Sequence, residues 1–78
     1  MKLRDAGEYF FLLERAALQD QTAEIAIEVA QEAEQTGQIG AARTMWGVVR
    51  RCRVEALKAR AIAEALRRQS RGRLGSDR

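Results

Sequence analysis

The chain has 78 residues, fourteen Lys and Arg against eleven Asp and Glu, a net charge of +3, no proline and no histidine. Without histidine there is no Ser-His or Cys-His nucleophile pair and no imidazole for metal or proton chemistry, and the single Cys52 makes neither an internal disulfide nor a thiolate zinc site. The longest apolar run, Tyr9 to Leu13, falls far short of the ~20 residues of a membrane span, so the composition is that of a cytoplasmic, all-α protein without cofactor or membrane segment.

Alanine occurs fourteen times, and helix propensity is high almost throughout. The spacing predicts three helices, about 5–19, 21–36 and 41–70, in one helical domain over 1–71, followed by a flexible C-terminal tail over 72–78. The first helix opens at Asp5, with Glu8 three residues on in a capping-box spacing. Leu3, Ala6, Phe10, Leu13 and Ala17 form its apolar face. Polar Gln19, Asp20, Gln21 and Thr22 interrupt that face, and Asp20 is expected to cap a second helix whose stripe is Thr22, Ala26, Val29, Ala33 and Thr36. Gly37-Gln38-Ile39-Gly40 is the clear turn. Gly37 suits a left-handed helix terminus, and Gly40 a following N-cap.

The third helix carries the strongest pattern. Ala42, Met45, Val49, Cys52, Ala56, Ala59, Ala63 and Leu66 alternate at three and four residues, a coiled-coil seam. Folding helix two back through the turn sets Ala33 opposite Met45, Val29 opposite Val49 and Ala26 opposite Cys52. The fold class is therefore an antiparallel, coiled-coil-like helical hairpin with a short N-terminal helix, self-associating into a helical bundle. Self-association is expected for two reasons. A domain of this size buries only about 60% of its unfolded surface, and a second stripe, Gly47, Val54, Leu57 and Ala61, lies outside the seam. With Phe10 and Phe11 this stripe forms the candidate oligomer interface, and a homodimer is the expected assembly.

Charge is divided along the chain: residues 1–39 carry net −5 and residues 40–78 net +8. Glu24, Glu28 and Glu32 stack four residues apart on helix two, a repulsive spacing that calls for nearby cations. Arg53, Arg60 and Arg67 follow one edge of helix three at heptad spacing. They are expected to pair with acids, and are otherwise the candidate contact for nucleic acid or another anion. Cys52 reads as a small buried hydrophobe, and Trp46 as a packing residue or an anchor for a peptide partner. The functional expectation is a non-enzymatic helical assembly protein acting through protein–protein contacts, with itself and with another protein as partners. The alternative is a small basic dimeric regulator that binds nucleic acid through the arginine edge.

Overall fold

The computed structural model describes residues 3–76, and the side chains of residues 4–71. Two helices account for the described fold: α1, Leu3–Gln35, and α2, Ile39–Ser76. They lie antiparallel as a rod measuring 63 × 16 × 12 Å. The radius of gyration is 17.8 Å, against about 11.5 Å for a globular domain of this length.

The turn joining them is built by hydrogen bonds. Gln38 donates its backbone N–H to the carbonyl of Ala33 at 2.8 Å, and Gly37 donates to Glu34 at 3.2 Å. These are the paired bonds of a Schellman terminus. Gly37, with φ of +79°, occupies the left-handed position as the sequence predicts. Gly40 is not the following cap. Ala42 donates to the carbonyl of Gln38, so Gln38 opens α2 and Gly40 lies inside its first turn.

The expected break at Asp20 does not occur, and the structure has two helices rather than three. The buried positions of α1 are Ala16, Ala23, Ala26, Ala30 and Ala33, with Tyr9, Leu12 and Gln19 half-buried in the same heptad phase. Gln19 occupies a seam position itself, so the stripe crosses the polar stretch without a change of phase. Asp5 sits within the first turn rather than capping it, where a carboxylate suits the helix dipole. Val29, Thr22 and Thr36, expected in the seam, are exposed. The two threonine hydroxyls instead donate to carbonyls of their own helix, Leu18 and Glu32. Likewise α2 continues to Ser76 through Gly72, where the sequence reading ends it. A glycine inside a helix costs only about 1 kcal/mol, and among the described residues only Gly37 takes the positive φ that terminates one.

The seam predicted for α2 is present: Ala42, Val49, Cys52, Ala56, Ala59 and Ala63 are buried, and Met45 and Leu66 are half-buried. Reading the buried positions of α1 forward and those of α2 backward sets Ala33 level with Ala42, Ala26 with Val49, Ala23 with Cys52 and Ala16 with Ala59. The packing agrees: Ala23, Ala26, Val49 and Cys52 form one cluster, and Ala16, Ala56 and Ala59 another. The pairing is displaced by about one helical turn from the expected layers, because alanines, not Val29 and the threonines, take the inside of α1.

Candidate interaction surface

Small side chains fill this core. Among the described residues nine of its eleven buried apolar side chains are alanine, joined by Val49 and Cys52, and no large side chain is fully buried. The bulky apolar residues stand outside: Phe10, Phe11, Leu18, Ile25, Val29, Ile39, Val54, Leu57 and Ile62 are between 43% and 66% exposed. Two close-packed helices leave room in the seam only for short side chains, so larger ones are displaced to the flanks.

The expected interface residues divide between two surfaces. Gly47, Val54, Leu57 and Ala61 share one face of α2, with Val54, Leu57 and Ala61 exposed. A methyl group added at Gly47 would meet only the Arg50 guanidinium, at 3.9 Å. Nothing within the hairpin requires a glycine there. Phe10 and Phe11 lie on α1, about 100° apart around the helix. Phe10 meets the Tyr9 ring edge-on at a centroid distance of 5.3 Å. Phe11 shares a face with Leu18 and Ile25, at intervals of seven residues, and with Val29. Of this α1 stripe only Phe11 is among the interface residues expected from the sequence. Phe11, Leu18 and Ile25 repeat every seventh residue, a signal that the larger residues of α1 hide when they are taken for core.

One groove between the helices is polar. Arg60 pairs with Asp20 across the hairpin, and Arg53 with Glu24 at 3.8 Å. Near the turn, Trp46 Nε1 donates to Glu34 Oε1 at 2.8 Å, while its ring packs against the cluster containing Val49 and Cys52. Ile39, Arg43 and Arg50 complete a shallow cleft around it. Arg67 is paired within its own helix: it donates to Glu64 at 2.7 Å, and Arg68 approaches the same carboxylate at 3.5 Å. The hydrogen bond from Arg67, aided by the charges of Arg67, Arg68 and Arg71, holds the Glu64 carboxyl below its ordinary range despite some desolvation. The same hydrogen bond raises Arg67.

All three arginines expected to be paired therefore have an acid beside them, two from α1 and one from α2. Each remains roughly half exposed. Glu28 and Glu32 have no ion pair among the described residues. Cys52 is a buried free thiol in the seam, as its position predicts. Among the described residues no helix is long and apolar enough to cross a membrane, and no three carboxylate or thiol groups converge as a metal site would need.

No family model matches the chain, and no curated protein or solved structure matches it either.

Proposed function

We propose that this chain is a non-enzymatic helical assembly protein that self-associates as a homodimer and acts through protein–protein contacts. The carrying observation is the distribution of side-chain size, with alanine inside and nine bulky apolar residues outside. Surface area gives the same argument a scale. The chain exposes 6001 Å², whereas a compact monomer of 8.8 kDa exposes about 4,800 Å². The difference exceeds the ~800 Å² that each partner buries in a standard interface. Patches of such residues on a soluble surface mark interaction sites.

The nucleic-acid reading is less well supported, because Arg53 and Arg60 are engaged with Glu24 and Asp20. Sedimentation at micromolar concentration tests the assembly reading. A mass of twice 8.8 kDa is expected, and a folded monomer would refute it. Tight retention on nonspecific duplex DNA, lost steeply with added salt, would transfer the function to the arginine edge.

A further inference from the structure

We infer that the second copy docks on the α1 stripe of Phe11, Leu18, Ile25 and Val29, with α1 of each chain against α2 of the other around a twofold axis parallel to the rod. This rests on the self-association proposed above and specifies its surface and geometry.

The stripe faces the groove opposite the polar one. On that side Leu12, Arg15, Glu55, Lys58, Ala59 and Ile62 line one hollow, and Val29, Ala33 and Ala41 line another together with Glu32, Thr36 and Gln38, so charged and polar groups flank the apolar ones. The Asp20–Arg60 and Glu34–Trp46 links occupy the other side. A partner seated on this face would bury the stripe without breaking them.

Charge selects which helix of the partner lies over α1. Leu3–Gln35 holds eight acids and two cations, and Ile39–Ser76 ten cations and two acids. Placing α1 on α1 would oppose Glu8, Glu14, Glu28 and Glu32 to a second acidic helix. Placing α1 on α2 sets them against a basic one, as electrostatic complementarity requires.

The seam then supplies the fit. An axis parallel to the rod preserves each residue's height, and heights are set by Ala26 level with Val49 and Ala23 level with Cys52. On this scale the partner's Ile62 enters between Phe11 and Leu18, and the partner's Val48 between Ile25 and Val29. The partner's Arg51 stands about one helical turn from Glu28, and the partner's Lys58 a similar distance from Glu14. The partner's Val48 and Ile62 meet gaps between apolar knobs, the partner's Glu55 between them keeps its ion pair with Lys58 of its own helix at 3.5 Å, and every neighbouring pair of helices in the resulting four-helix bundle is antiparallel.

The test combines mass with cross-linking. Leu18→Lys with Ile25→Lys, which introduces cations opposite the basic helix, is expected to convert a dimer to a monomer while helicity by circular dichroism is retained. Leu57→Lys, beside the polar groove on the side away from the stripe, is expected to leave the dimer intact. In a Cys52→Ala background, a mixture of Ile25→Cys and Val48→Cys chains should form a mixed disulfide dimer on oxidation, and this result stands even if the lysine variant misfolds. A dimer that survives the double lysine change in folded form, or that is dissociated by Leu57→Lys alone, would overturn this geometry while leaving self-association standing. Cross-linking of Ile25→Cys chains only to one another would also overturn it, by placing α1 on α1. A wild-type monomer would overturn the assembly reading itself.

Discussion

Asp20 and Arg60, forty residues apart in the chain, meet across the polar groove, at the point where the sequence reading places a helix break. The carboxylate expected to cap a new helix instead reaches sideways to the opposite one, and the backbone runs on beneath it. Exposed pairs of this kind contribute modestly. A double-mutant cycle with Asp20→Asn and Arg60→Gln should give a coupling of ~0.2–1 kcal/mol at low salt, shrinking at 1 M salt as screening shortens to about 3 Å. A salt-independent coupling would mean that the pair acts through packing.

The alanine seam has little tolerance for size. Ala16 and Ala23 have no solvent exposure, so Ala23→Leu must separate the helices or leave its rotamer well, costing about 1–3 kcal/mol. Leu57→Ala removes a larger group at a position 66% exposed and should change stability by no more than ~0.5 kcal/mol. Urea unfolding of the two variants compares them directly. The expected order reverses the rule that deleting a leucine matters more than adding one.

Among the described residues Gly37 is the one position where backbone conformation demands a particular residue, with φ of +79°. Gly37→Ala should destabilise by about 1–2 kcal/mol, the cost of the left-handed conformation for a side chain bearing a Cβ. Gly37→Asn should cost less, since asparagine tolerates that region. A similar melting temperature for Gly37→Ala and the wild type would show that the turn rearranges freely.

The Glu64–Arg67 pair carries a pH signature. The folded carboxyl titrates below its ordinary value of 4.5 because Arg67 hydrogen-bonds to its ionised form. Its stabilising contribution is therefore present above the unfolded pKa and is lost as pH falls through the folded one. Glu64→Gln should flatten the acid limb of the melting-temperature profile below about pH 4.5, leaving neutral pH little changed because the pair is exposed. Carboxyl NMR titration of Glu64 provides the direct check.

The two halves of the hairpin were unequally legible. In α2 the apolar residues at three-and-four spacing are the seam, and Gly37 stands where a helix must end, so the seam of this half and the glycine of the turn follow from the sequence, although Gly40 does not cap α2 and Gly72 does not end it. In α1 the same spacing rule points to the wrong residues. Phe10, Leu13 and Val29 are larger than Ala16, Ala23 and Ala30 and attract assignment to the core, yet the close helices admit only the alanines. The sign was present: Ala16, Ala23 and Ala30 repeat every seven residues, as do Ala26 and Ala33, and Gln19 fills the one seam position that looks polar. The misplaced phase hides the surface stripe as well, because it puts Val29 inside and leaves Leu18 and Ile25 on no face. Val54, Leu57 and Ala61 lie exposed outside the seam as the sequence predicts, because the phase of α2 is legible.

A core made of one repeated residue has little means of recognising its own alignment. Sliding α1 by seven residues against α2 would set Ala16 where Ala23 had been and Ala23 where Ala30 had been, and only Tyr9 and Gln19, brought to the places of Ala16 and Ala26, would resist by their size. In an intact chain the tight connection at Thr36, Gly37 and Gln38 forbids the slip, since the helix ends are tethered within a single turn. The alignment is thus held by the connection and by a few polar clasps along one edge, while the interior acts as a uniform track. Cut at the turn, the two helices would become a pair of nearly smooth rails with several resting places.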